Sequence, residues 1–219
     1  MLNFTSPTLT KRKRFSLNKR NHMKQFIKEW GPFTLFLILF GLSRLFLWQA
    51  VKVDGHSMDP TLAHGERLIV FNQARIDRFD IVVAQEEENG QKKEIVKRVV
   101  GLPGDTISYN DDTLYINGKK TVEPYLAEYL KQFKNDKLQK TYAYNTLFQQ
   151  LAETSDAFTT NSEGQTRFEM SVPKGEYLLL GDDRIVSRDS REVGSFKKEN
   201  LIGEVKARFW PLNKMTVFN

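Results

Sequence analysis

Hydrophobic and polar positions follow a different rule in each of three successive stretches. From Met1 to Glu29 charged and polar residues dominate, and no helical apolar stripe begins before Phe26 and Ile27. Such a stretch buries too little apolar surface to offset the entropy of ordering, so residues 1–29 are expected to form a disordered basic arm. Met23 opens what reads as a natural start of its own, which makes residues 1–22 candidates for a dispensable extension. Trp30 to Val51 is almost continuously apolar. At ~1.5 Å per residue a helix over 30–51 spans roughly 33 Å, which matches a hydrocarbon core of ~30 Å. Trp30 and Trp48 fall where aromatic belts sit at the two interfaces. Arg44 lies seven residues from the end of the run, close enough for its side chain to snorkel to headgroups. Gln49-Ala50-Val51-Lys52 offers no small-x-small cleavage site, so an uncleaved transmembrane anchor is expected rather than a signal peptide.

From Lys52 onward the pattern shortens to β-branched runs separated by turn-forming residues. Arg67 to Phe71, Asp80 to Ala84, Glu94 to Val100, Glu176 to Leu180 and Glu204 to Phe209 read as strands. Thr106 to Tyr109 and Thr113 to Ile116 flank Asn110-Asp111-Asp112 and read as a hairpin; Asn117-Gly118 supplies a second tight turn. Residues 124–170 break this pattern. Tyr125 to Leu138 carries Tyr125, Leu126, Tyr129, Leu130 and Phe133 at helical spacing, and the remainder is polar and irregular. The prediction is a mainly β body over 52–219 with an inserted cap at about 124–170, preceded by a single N-terminal transmembrane helix.

Charge refines this division. Eight Lys or Arg stand against Glu29 alone in residues 1–29, so that arm carries +7, the whole chain +6, and residues 30–219 sum to −1. The basicity belongs to the arm and not to a folded face, which argues against nucleic acid as a partner. Cations before the apolar run favour a cytoplasmic N-terminus and an extracytoplasmic body, in a single-pass protein of the cell membrane. No cysteine is present, so thiolate chemistry and disulfides are excluded. No metal cluster, phosphate loop or paired-carboxylate motif stands out, and no cofactor is expected.

Candidate chemistry centres on Val53 to Val70, where Ser57 sits between Gly55 and Pro60 on a turn between extended segments. Glycine there relaxes the backbone and proline stiffens it, so the hydroxyl is a candidate nucleophile, although such residues also build ordinary turns. A base must be found for it. His56 is adjacent to Ser57, and neighbouring side chains on an extended chain point apart; His64 lies in a polar turn. Lys97 stands in Ile95-Val96-Lys97-Arg98-Val99-Val100, where period two puts it on one face with Ile95 and Val99. On a core face it would be desolvated, which disfavours the ammonium and lowers the pKa toward that of a base. On an edge strand it would simply face water.

Three stretches occur in order after the apolar run: G-H-S-M-D-P-T-L at 55–62, I-V-K-R-V-V-G-L-P-G-D at 95–105 and G-D-D-R-I-V-S-R-D-S-R-E-V-G at 181–194. As a set they resemble the type I signal peptidases, membrane-anchored Ser/Lys endopeptidases that release secretory signal peptides, and most of all the Gram-positive branch. The resemblance covers nearly everything from Met23 onward and 124–170 only loosely. It implies a signal-peptidase-like β-sheet or barrel body, with Ser57 as nucleophile, Lys97 as general base and the Ser57 N–H as an oxyanion donor. It further implies that Ser187 hydrogen-bonds and orients the lysine. Asp80, Asp182, Arg184, Asp189 and Arg191 are then structural, holding strands through ion pairs. The implied preference for small residues one and three positions before the cut calls for shallow apolar subsites, which Met58, Ile81 and Val83 are expected to line. Signal peptides of secretory preproteins and the lipid bilayer are the implied partners, and a monomer is expected. Two departures stand out: Gly55 occupies a position where some relatives carry an oxyanion-donating serine, and Asp183 stands where Asn is common. Two other readings remain open at this point, a self-cleaving Ser/Lys repressor and a catalytically silent membrane-anchored binding module.

Overall fold

The computed structural model describes residues 8–72, 74–88 and 90–218, with side chains from Lys24 onward. The chain divides into two units, residues 1–47 and 48–219.

The first unit is one helix, α1, Thr8–Phe46. Its backbone is helical well before the apolar run, which corrects the expected disordered arm. Between Thr8 and Trp30 the sequence holds neither Gly nor Pro, so nothing interrupts a helix once the apolar segment has nucleated it. Residues 1–7 of that arm lie outside the described residues. The 23 residues Lys24–Phe46 are long and apolar enough to cross a membrane. Their large side chains, Phe33, Phe36 and Leu39 among them, are exposed. The hydroxyls turn back on the helix itself: Thr34 Oγ1 donates to the Trp30 carbonyl at 2.9 Å and Ser43 Oγ to the Phe40 carbonyl at 2.8 Å. Apolar surroundings demand such internal satisfaction.

The helix stops short of the expected boundary at Val51. Residues 48–51 belong instead to β1 (Trp48–Lys52), which pairs antiparallel with β2 (Arg67–Phe71). In W-Q-A-V the apolar period has already changed from continuous to alternating, and Val51 packs against a core cluster built on Val53, Leu68 and Val70.

The second unit is mainly β, built from two antiparallel sheets. The remaining strands are β3 (Ile81–Glu88), β4 (Gln91–Gly101), β5 (Thr106–Asn110), β6 (Thr113–Ile116), β7 (Lys119–Thr121), β8 (Arg167–Ser171), β9 (Glu176–Leu180), β10 (Phe196–Lys197), β11 (Leu201–Trp210) and β12 (Thr216–Val217). The larger sheet runs β1-β2-β11-β3-β4-β9-β10, with β12 added on β11; the smaller runs β7-β6-β5-β8. Period two sorts the long hairpin β3–β4 into two core faces. Val83 joins the cluster of Val53, Leu68 and Val70, while Val82, Ala84, Val99 and Leu179 form another.

The cap has a core of its own, with Leu126, Phe133, Tyr142, Phe148 and Phe158 buried together and Tyr142 stacked on Phe148 at 3.7 Å. The helix expected over 125–138 begins as a 3₁₀ turn at Pro124–Leu126 and continues as α2, Ala127–Asp136. A second helix, α3 (Thr146–Thr154), was not foreseen. Asn145 caps it, accepting from the Phe148 N–H at 3.1 Å. The inserted segment is also shorter than 124–170, because residues 167–170 belong to β8 and pair with β5, Phe168 opposite Tyr109.

Candidate active site

The turn that carries Ser57 is pinned on both sides. Before it, the Val53 N–H donates to the Glu66 carbonyl and the Gly65 N–H to the Val53 carbonyl, and Gly55 takes φ +92°, a left-handed value that glycine tolerates. After it, Met58 and Leu62 are sunk into the core at 1% and 0% exposure, and the Asp59–Pro60 peptide is cis. Burial of Met58 corrects its expected place in a substrate subsite: it anchors the turn from beneath.

Lys97 Nζ lies 2.7 Å from Ser57 Oγ. The lysine is 4% exposed and stands opposite Val82 on β4, on the face shared with Ile95 and Val99. Burial brings its pKa down to about 8; the Asp189 and Glu86 carboxylates oppose that shift. His56 and His64 are engaged elsewhere: His56 Nδ1 meets Asp59 Oδ2 at 3.0 Å, and His64 Nδ1 accepts from the Gly55 N–H at 3.1 Å.

Ser187, expected to hydrogen-bond Lys97, is 4% exposed, and its Oγ has no hydrogen-bond partner among the described residues. Its hydroxyl is turned toward Gly181, where an added Cβ would stand 2.1 Å from Ser187 Oγ and 2.5 Å from the Ser57 carbonyl oxygen. That squeeze explains why the two loops meet at a glycine. The contact is reinforced by the Asp183 N–H, which donates to the Ser57 carbonyl at 3.1 Å, and by Thr61 Oγ1, which donates to Asp182 Oδ2 at 2.5 Å.

The charged support is built of ion pairs, as expected for Asp182, Arg184, Asp189 and Arg191. Arg98 donates to both Asp182 oxygens, at 2.8 and 2.6 Å. Burial works against the Arg98 charge, and Asp182 outweighs it, so its pKa is raised. Asp189 accepts from the Gly181 N–H and from Arg191 Nε and Nη2, each within 3 Å. Arg184, fully buried, pairs with Glu123 and donates to the Tyr109 hydroxyl at 2.8 Å. Asp80 differs from its expected role: its carboxylate accepts from the Asp77 N–H at 2.7 Å and closes the turn before β3. Asp183 is wholly buried and pushed up to about 7 by that burial, with Oδ1 accepting from the Ile185 and Val186 N–H groups.

Ser57 and Lys97 open onto a groove of about 560 Å³ whose apolar lining includes Val83, Ile95, Val96 and Val186. Val83, expected in a substrate subsite, is among these lining residues, although it belongs to the same buried cluster as Met58. Ile81 is not: it is buried, lies opposite Arg98 in register, and packs with Met58 in the core. The cap contributes Asn145 and Leu147 to the groove, two residues that sequence reasoning missed although the Asn145 cap is a readable helix signal. Arg98, Glu123 and Glu86 were also missed, because their partners lie 61 to 102 residues away. Among the described residues no group of three or more His, Asp or Glu could hold a metal ion.

Comparison with known proteins adds the following. The family description "Signal peptidase, peptidase S26" matches residues 27–210. Signal peptidase I of Streptococcus pneumoniae is 56% identical over 205 residues, covering 90% of this chain and 100% of that protein. Signal peptidase IB of Staphylococcus aureus is 36% identical over 198 residues, covering 88% and 94%. A crystal structure of a signal peptidase I from Enterococcus faecalis, 32% identical, superposes with a TM-score of 0.42 over 60% of this chain and 97% of that one.

Proposed function

The chain belongs to the signal peptidase family, peptidase S26, and is a serine endopeptidase; on that premise we propose that it removes N-terminal signal peptides from secretory preproteins with Ser57 as nucleophile and Lys97 as general base. The observation that carries the reading is the 2.7 Å approach of a buried lysine to a serine hydroxyl at the floor of an open groove. Neutral Lys97 takes the Ser57 proton as the oxygen attacks the scissile carbonyl, the amine of the mature protein leaves, and an acyl-enzyme forms. Lysine then activates the water that releases the signal peptide. The Ser57 N–H is one oxyanion donor, and such a donor contributes about 3–4 kcal/mol in comparable enzymes. Gly55 has no side chain to add a second.

The groove's shallow apolar wall around Val83, Ile95 and Val96 suits small residues at the first and third positions before the cut. Lys24–Phe46 serves as an uncleaved anchor with the N-terminus cytoplasmic and the peptidase unit outside. Tethering confines enzyme and membrane-held substrate to one surface and raises their effective concentration.

Cleavage of a preprotein in detergent by the wild type, Ser57→Ala and Lys97→Ala tests the dyad. Both variants are expected to be inactive, and full activity in either sinks it. Activity that survives Lys97→Ala but vanishes in His64→Ala would instead support a serine–histidine site. The wild-type rate is expected to rise with pH up to about 8, where Lys97 loses its proton.

A further inference from the structure

Arg188 follows Ser187 in the support loop and reaches across the groove to β3. Its Nη1 donates to Glu86 Oε1 at 2.6 Å and to Glu88 Oε1 at 3.0 Å, and its Nε lies 4.0 Å from Glu192 Oε2. Glu86 is the unusual member of this group: its side chain is 8% exposed, whereas those of Arg188 and Glu88 are 44% and 41% exposed. In register, Val82 stands opposite Lys97, Ala84 opposite Ile95 and Glu86 opposite Lys93, so Glu86 shares the Lys97 face of the hairpin. Glu86 and Lys97 both line the groove that holds Ser57.

A carboxylate at such a position is costly to desolvate, and its neighbours along that face, Val82 and Ala84, show what packing alone would choose. Its effect is to set a negative charge in the wall of the catalytic groove and to tie that charge, through Arg188, to the residue beside Ser187.

We propose that Glu86 and Arg188 are positioning residues of the catalytic centre, a charge pair that holds the Ser187 turn against β3 and sets the electrostatic field at Lys97. The proposal rests on the Ser57–Lys97 reading. The charged groups that face Lys97 are Glu86 from β3, Lys93 from its own strand, and Asp189 and Arg191 from the support loop, with Arg188 behind Glu86. Burial favours the neutral amine, Lys93 and Arg191 assist it, and Asp189 and Glu86 oppose it. Removing the Glu86 charge therefore eases deprotonation of Lys97. Removing the Arg188 charge has the reverse effect, because it leaves the Glu86 carboxylate uncompensated.

The experiment measures kcat/KM against pH for the full chain in detergent micelles, with a peptide carrying alanine one and three positions before the cut. In Glu86→Gln the acid limb is expected to move to lower pH by about half a unit to one unit. In Arg188→Gln it moves to higher pH, and in the double variant it returns toward the wild-type position. Glu86→Asp and Arg188→Lys, which keep the charges, hold the wild-type midpoint and cover the case in which a neutral variant fails to fold. A midpoint unmoved in both neutral variants, or moved the same way in both, overturns the proposal even if their rates fall. Lys97→Ala run in parallel separates the two readings. An active Lys97→Ala removes the dyad itself, whereas an inactive one beside an unmoved Glu86→Gln midpoint removes only the role of Glu86 and Arg188.

Discussion

Lys97 and Arg98 stand side by side on β4, are 4% and 7% exposed, and project to opposite faces of the same strand. Burial penalises both charges, yet the outcomes diverge. Arg98 meets the Asp182 carboxylate through two hydrogen bonds and keeps its charge more firmly than in water. Among the described residues Lys97 has only a serine hydroxyl at bonding distance, the Asp189 and Glu86 carboxylates act through space, and burial wins. The partner, and not the degree of burial, decides whether a buried cation keeps its charge or is eased toward the neutral form.

Removing each cation in turn separates the two residues most clearly. Lys97→Met is expected to lower cleavage by at least about 10³-fold, the range of a general base, while stability at neutral pH holds or rises because a desolvated ammonium is gone. Arg98→Met is expected to do the opposite to stability. It leaves Asp182 buried without its cation and costs about 3–5 kcal/mol in denaturant unfolding of the full chain. An equal loss of stability in the two variants would erase the distinction.

A smaller effect tests the lysine by itself. Its pKa is near 8 folded and 10.5 unfolded, so between those pH values the unfolded chain binds the extra proton and stability rises with pH. Wild type is expected to gain about 3 kcal/mol relative to Lys97→Met across that window, a difference absent below it, as unfolding curves at stepped pH will record. Smallest of all is His64→Ala. The ring accepts from the Gly55 N–H and does not reach Ser57, so activity is expected to stay within about twofold of wild type in the preprotein assay.

Much of the β body was legible because its strands announce themselves. Runs such as Arg67 to Phe71 and Glu176 to Leu180 are bounded by turn residues, and β2 and β9 occupy those spans. Period two also put Lys97 on the face it occupies, with Ile95 and Val99. What stayed hidden depends on partners far along the chain. Residues 48–51 look like the tail of an apolar run until β2 is present to pair with them. Met58 reads as an exposed neighbour of the nucleophile, and only the packing beneath the turn makes it core. Arg98 carries the same signal in sequence as Lys97, an isolated cation among β-branched residues. Nothing local distinguishes the two, because Asp182 arrives 84 residues later. The Ser187 hydroxyl, expected on the lysine, lies instead in the tight contact made possible by Gly181.

The position of β11 has a temporal consequence. In the larger sheet it lies between β2 and β3, although residues 201–210 follow both in the chain by more than a hundred positions. A ribosome delivers Ser57 and Lys97 early, the loop at 181–189 that seats them late, and the strand that joins β2 to β3 later still. Contacts so distant in sequence form slowly and only after their second partner has been made. Ser57 is thus present for most of the protein's synthesis without the loop and strand that later hold its turn, and the delay is written into the strand order.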